Sequence, residues 1–254
     1  MQDFRISAQP ADVVARIVFS RQRNIIVALR KNLICMTEGK IKNAYKQSKN
    51  VYDDVLTQSK WWSKFYIRFF WGVDDMEIAE NLFRSIPNDF DGTLLDVPCG
   101  TLNLTIGKYR QMPQSKVICL DYSKDMLDKT RGRLEQYALS HISVVQGDVG
   151  KLPFEDASFD IVLSMNGFHA FPDKSKAHAE TFRVLKPGGI FLGCFYIQGE
   201  NRRSDFVVKT ILSPRGWFTP PFQTKNEVHS LLRQYYSSVE LHNEKAMVWF
   251  HCVK

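Results

Sequence analysis

Leu94-Leu95-Asp96-Val97-Pro98-Cys99-Gly100-Thr101 is the stretch on which the reading of this chain turns. The aliphatic residues around Asp96 read as a buried strand, and Pro98 with Gly100 ends it. A helical pattern over 101–111 follows. A buried strand that runs through a glycine turn into a helix brings backbone N–H groups to a ligand at the strand's carboxyl end. A second candidate strand ends in Leu120-Asp121-Tyr122, with Asp121 placed 21 residues beyond Gly100. In doubly wound folds an acid about 20 residues past the glycine turn accepts hydrogen bonds from ribose hydroxyls. A third ends in Gln146-Gly147-Asp148-Val149. One such acid is commonly a solvated loop residue or a helix cap; three at successive strand ends argue for one site.

Working outward, Thr93–Val97, Lys116–Asp121, Ile142–Gln146, Phe159–Ser164 and Ile190–Tyr196 are strand candidates rich in Val, Ile, Leu and Phe. Helical patterns at 101–111, 124–139 and 173–185 lie between them. This alternation predicts an α/β fold with a doubly wound, largely parallel sheet covered on both faces. Residues 197–224 break the rhythm with Gly199, Pro214, Gly216, Pro220 and Pro221 and read as an inserted loop or lid. After a helix at 225–235, Ser238–His242 and Ala246–Val253 are separated only by Asn243-Glu244-Lys245. That spacing predicts a closing antiparallel hairpin.

Before the sheet, residues 41–90 read as a helical cap. Lys60, Lys64 and Arg68 recur every four residues. Trp61/Phe65/Phe69 and Trp62/Tyr66/Phe70 form two adjacent stripes beside them, as in a strongly amphipathic aromatic helix. Residues 1–40 show no clean periodicity and form an N-terminal extension; whether 1–35 belong to the working unit stays open. Residues 91–254 are then the main domain.

Composition sets the outer bounds. Of 254 residues, 44% are apolar and 24% charged, which excludes a disordered, collagenous or coiled-coil chain. No apolar run is long enough for a membrane-spanning helix, and Arg16 interrupts the block a signal peptide would need, so a cytoplasmic protein is expected. The five cysteines (Cys35, Cys99, Cys119, Cys194 and Cys252) form no C-x-x-C pair, so neither a zinc site nor a disulfide framework is indicated, and no metal is expected. Four of the seven net positive charges fall in residues 1–35, which makes the charge weak evidence for a nucleic-acid partner.

These motifs together resemble the class I S-adenosylmethionine-dependent methyltransferases, in particular the small-molecule group that includes the ubiquinone and menaquinone biosynthesis methyltransferases. The likeness is carried by Leu95-Asp96-Val97-Pro98-Cys99-Gly100-Thr101, Leu120-Asp121-Tyr122-Ser123-Lys124-Asp125-Met126-Leu127 and Gly147-Asp148 through Leu152-Pro153-Phe154. It continues in Ser158-Phe159-Asp160-Ile161-Val162 and Arg183-Val184-Leu185-Lys186-Pro187-Gly188-Gly189. The resemblance implies a seven-stranded mixed sheet of Rossmann-like methyltransferase type and S-adenosylmethionine as cofactor. Asp96 and Gly100, with Pro98 and Cys99 in the same turn, would face its methionine part. Asp121 would hold the ribose, with Tyr122 or Met126 packing on the adenine. Asp148 and the Val149 backbone would meet the adenine edge, and Ser164 would approach the cofactor's amino group through its main chain. The chain departs from the family's glycine-rich turn at Pro98 and Leu102.

His169, in Gly167-Phe168-His169-Ala170-Phe171 after the fourth strand, is the candidate general base, for acceptors that must lose a proton. Ser164-Met165-Asn166-Gly167 is not the Asn/Asp-Pro-Pro-aromatic signature of nucleobase or glutamine methylation. The expected acceptor is therefore a small apolar or aromatic molecule: a phenol, a quinol or a lipid-like compound. Trp61, Trp62, Phe65 and Tyr66 of the aromatic helix, with Trp217 and Phe218 of the lid, are candidates for its pocket. No nucleic-acid partner is expected, a peripheral membrane contact is left open, and the oligomeric state is unknown. Two alternatives remain: an inactive cofactor-binding protein on the same fold, and a nucleotide-dependent oxidoreductase, which the incomplete G-x-G-x-x-G fits poorly.

Overall fold

A computed structural model describes residues 74–254. The expected extension 1–40, and the cap as far as residue 73 with Trp61, Trp62, Phe65 and Tyr66, lie outside the described residues. The chain order is α1 (Asp75–Phe83), β1 (Thr93–Asp96), α2 (Ile106–Tyr109), β2 (Lys116–Asp121), α3 (Lys124–Gln136), β3 (Ile142–Gln146) and β4 (Phe159–Met165). Then come α4 (Lys174–Val184), β5 (Leu185–Tyr196), α5 (Arg202–Val207), a π-helical segment (Val208–Leu212), α6 (Lys225–Tyr235), β6 (Ser238–Glu244) and β7 (Met247–Val253).

The seven strands lie in the order β3-β2-β1-β4-β5-β7-β6. β1 to β5 pair in parallel, whereas β7 is antiparallel to both β5 and β6. Successive strand residues point to opposite faces, so Leu94 and Leu95 enter different apolar clusters. One cluster takes Ile78, Ala79 and Leu82 of α1 with Leu127 and Leu134 of α3. The other takes Ala177 and Val184 of α4 with Val228 and Leu232 of α6. Helices thus cover both faces, and each fully buried leucine contributes roughly 1.5–3 kcal/mol by leaving water. Chain order reverses between β1 and β4, and that is where such a sheet opens a crevice at its carboxyl edge.

Three elements depart from expectation. The helix expected over 101–111 contracts to Ile106–Tyr109, because Gly100 (φ 53°) and Leu102 (φ 59°) hold the preceding turn in the left-handed region. The segment 197–224 contains α5, capped by the Asn201 side chain, and the π-helical segment. The hairpin is longer than expected: Asn243 and Glu244 join β6, leaving Lys245 (φ 48°) and Ala246 as a two-residue turn.

Candidate functional site

The turn after β1 leans on both neighbouring strands. Val97 N–H donates to the Leu163 carbonyl and Cys99 N–H to the Leu120 carbonyl, each at 2.9 Å. Gly100 N–H then donates to Asp121 Oδ2 at 2.9 Å, and its carbonyl accepts from Thr130 Oγ1 at 2.7 Å. A Cβ at Gly100 would meet nothing within 4 Å, so open space lies beside this backbone, and Gly100 lines a cavity. Across the cavity mouth, the loop after β4 approaches so closely that a Cβ on Gly167 would fall 2.3 Å from Pro98 Cδ.

The carboxylates meet in this cavity, which Asp96, Asp121 and Asp148 all line. Asp96 is 1% exposed; its Oδ2 accepts from the Tyr109 hydroxyl at 2.7 Å and from Thr105 Oγ1 at 3.2 Å. Its Oδ1 is buried without a partner. Burial pushes the Asp96 carboxyl up to about 7, with the Tyr109 hydrogen bond pulling the other way. Asp121 accepts from the N–H groups of Gly100 and Ser123, yet burial still raises it to about 6. Asp148 is exposed, with Oδ1 accepting from Gly150 N–H at 2.8 Å.

No Lys or Arg lines the cavity among the described residues. The site therefore suits a ligand with a positive charge near Asp96 and hydroxyls near Asp121. An orphaned buried carboxylate oxygen and a glycine facing empty space fit the methionine ammonium and the close approach of S-adenosylmethionine.

Most of the expected contact residues reach this cavity: Pro98, Cys99, Tyr122, Met126 and Val149 line it alongside the three acids and Gly100. The hydrogen bond with Cys119, together with burial, pushes the Cys99 thiol well up, as in an unreactive packed cysteine. Ser164 does not line the cavity. It is fully buried, paired with Gly193 of β5, and the cavity-facing residues at this strand end are Met165 and Asn166. Asn166 adopts φ 55°, which turns the chain out of the ladder one residue later than expected. Sequence reasoning also passed over Phe171 and Pro172, which wall the cavity beyond that loop. The Asn-Gly pair at 166–167 was the available signal for this turn.

His169 is turned away from the cavity lining, and this corrects its reading as a base. Its Nδ1 accepts the Tyr196 N–H at 3.3 Å, and its ring stacks on Phe218 with centroids 4.0 Å apart. A neutral imidazole whose Nδ1 accepts carries its proton on Nε2, leaving no free lone pair for proton abstraction. Burial lowers the ring to about 3. The same loop and the start of α4 hold the 197–224 segment: Thr219 N–H donates to the His169 carbonyl, Thr219 Oγ1 to the Ala170 carbonyl, and Lys174 Nζ to the Thr219 carbonyl. Trp217 and Phe218 pack into the core beside Tyr196 and Met247 and do not line the cavity.

The strand order, the glycine turn at the switch point and acids at three successive strand ends are those of the class I methyltransferase fold. Residues 94–189 match the family described as a methyltransferase domain. A demethylmenaquinone methyltransferase of Lactococcus lactis is 41% identical over 98 residues, 38% of this chain and 39% of that protein. One from Leptospira interrogans is 35% identical over 135 residues, 52% of this chain and 51% of that protein. The chain thus spans about half or less of the length of the curated relatives it matches. Among solved structures, a Thermotoga maritima methyltransferase described as a possible histamine N-methyltransferase superposes with a TM-score of 0.61 at 18% identity, covering 84% of this chain and 99% of that one. A Haemonchus contortus phosphoethanolamine N-methyltransferase, solved with S-adenosylhomocysteine, gives 0.60 at 18% identity over 70% of this chain and 52% of that one. Residues 94–189 are thus similar to a methyltransferase domain, and the solved neighbours share its fold.

Proposed function

We propose that this protein transfers the methyl group of S-adenosylmethionine to a small apolar or aromatic acceptor of the phenol or quinol kind. The observation that carries the acceptor class is the apolar part of the cavity lining, where Leu102, Leu104, Met165, Ala170, Phe171 and Pro172 outnumber the polar Asn103, Thr105 and Asn166. Such a wall suits an apolar ring held by few polar contacts. The demethylmenaquinone methyltransferase relatives point the same way.

In this reading Asp96 Oδ1 takes the methionine ammonium, Asp121 the ribose hydroxyls, and Asp148 with the Val149 backbone the adenine edge. Tyr122 and Met126 flank the ring, and the Asn166 segment takes the place first given to Ser164. When bound, the cofactor supplies a sulfonium methyl already activated for displacement. The chain's own work is to align the acceptor in line with it and to exclude water, which can lower the barrier by several kcal/mol. A dinucleotide oxidoreductase is disfavoured, because its diphosphate would face three carboxylates with no described cation beside them.

The test is transfer of an isotope-labelled methyl group, followed by mass spectrometry, to a panel of hydroquinones, naphthoquinols and catechols beside ethanolamine, histamine and sarcosine. Labelled quinol or phenol products are expected. Labelling confined to the amines would reject the acceptor class, and cofactor binding with no product from any acceptor would favour the inactive alternative.

A further inference from the structure

We propose that the outer face of α5 and the π-helical segment docks this protein on an anionic lipid bilayer. The segment has two sides of opposite character. Val207, Val208 and Leu212 are buried in the cluster that also holds Tyr196, Phe218 and Met247. On the other side Phe206 is 66% exposed and Ile211 38% exposed. Arg202, Arg203, Lys209 and Arg215 are exposed around them. Arg215 also donates to the Ile211 carbonyl at 2.8 Å, which keeps its charge beside that residue.

The distribution of acids gives this face its sign. Asp205, within α5, is turned inward, accepting the Tyr196 hydroxyl at 2.6 Å and Gly199 N–H at 3.0 Å. Glu200 stands at the edge, beside Asn243 of the hairpin. The outward surface thus combines a large exposed aromatic ring, an aliphatic side chain and a surround of cations. That combination fits the boundary between phosphate headgroups and acyl chains, where the ring leaves water and the cations meet phosphate. A soluble polyanion would use the cations but gain little from Phe206 and Ile211. No helix among the described residues is long and apolar enough to cross a membrane, and the proposed contact is one at the bilayer surface. The proposal does not depend on the acceptor: vesicle binding is read without turnover.

The experiment is co-sedimentation of the full chain with phosphatidylcholine vesicles and with vesicles containing about 30% phosphatidylglycerol, at about 0.15 M salt. Partition into the anionic vesicles should exceed that into the neutral ones by roughly tenfold. Phe206→Ser should lower it several-fold, and R202E with K209E should remove the preference, since each cation near the surface contributes roughly fivefold. None of these residues lines the cavity, so S-adenosylhomocysteine affinity serves as the folding control. Equal partition of the variants, or no preference for anionic vesicles, would overturn the proposal. Binding of single-stranded RNA in place of vesicles would overturn it too, as would a dimer that Phe206→Ser dissolves without any vesicle binding.

Discussion

The Tyr109 hydroxyl donates to Asp96 Oδ2 at 2.7 Å while Asp96 Oδ1, in the same carboxyl group, is buried without a partner. The carboxyl is held half ready: oriented by one oxygen, with burial lifting it to about 7, and open to a cation at the other. A cationic ligand stabilises the ionised form and lowers that value, so binding releases a proton near neutral pH. S-adenosylhomocysteine affinity should therefore rise with pH, by roughly tenfold between pH 6 and 8. Calorimetry in buffers of different ionisation enthalpy should detect the released proton. Tyr109→Phe removes a donor to the carboxylate and should move the rise to higher pH; no proton exchange at all would separate Asp96 from the ligand.

Asp121 both faces the cavity and supports its floor. Asp121→Ala should weaken S-adenosylhomocysteine at least tenfold in calorimetry, since a hydrogen bond to a charged group contributes about 1.5–3 kcal/mol. It also removes the acceptors of Gly100 N–H and Ser123 N–H, so the melting temperature should fall as well. Asp121→Asn retains a side-chain oxygen and should fall between the two. Unchanged affinity in both variants would reject the ribose assignment.

Leu102 sets two effects against each other. Its φ of 59° costs a side-chain residue roughly 1–2 kcal/mol relative to glycine. Its side chain is 1% exposed, and emptying such a site costs roughly 2–5 kcal/mol. Packing wins, so Leu102→Gly should destabilise the protein although glycine is the family's usual residue there. The melting temperature should drop by several degrees; a rise would mean that backbone strain dominates.

His178 is fully buried against Phe168, its two ring nitrogens lack partners, and burial lowers it to about 3. Unfolded, it takes up a proton below about 6.5, which the folded chain refuses until about 3, so its contribution to stability falls as pH drops through that window. At pH 5 the loss is about 2 kcal/mol, and His169 adds a loss of the same sign. Asp96 and Asp121 act oppositely: the fold takes up their protons first, so their contribution to stability grows as pH falls from about 7 towards 4. His178→Leu should therefore gain melting temperature relative to the parent at pH 5 and gain less at pH 8. A gain independent of pH would show that His178 titrates as it does in water.

The strands, the closing hairpin and the three strand-end acids were legible in the chain because they follow local rules. A buried parallel strand reads as a run of aliphatic residues, its end as a turn residue, and the distance from Gly100 to Asp121 reports one strand–helix–strand unit. Capping was equally local: Thr224 and Glu227 form a reciprocal capping box, and α6 starts and stops where its pattern does.

Which side chains face the cavity was decided only by the tertiary structure. His169 sits next to Ala170, which lines the cavity, yet its direction depends on the Tyr196 N–H, 27 residues on, and on the Phe218 ring. Ser164 lies near the end of β4 and Asn166 just beyond it, but pairing with β5 buries the first, and the left-handed turn at the second brings it to the cavity edge. Leu102 keeps a backbone conformation that glycine adopts more readily because the core around it accepts its side chain. The sheet, the glycine turn and the acids at its edge each follow from periodicity and spacing within a few residues, and so were already written in the chain. Direction and burial within the site came from packing between segments far apart in the chain, where neighbour identity has no local signature.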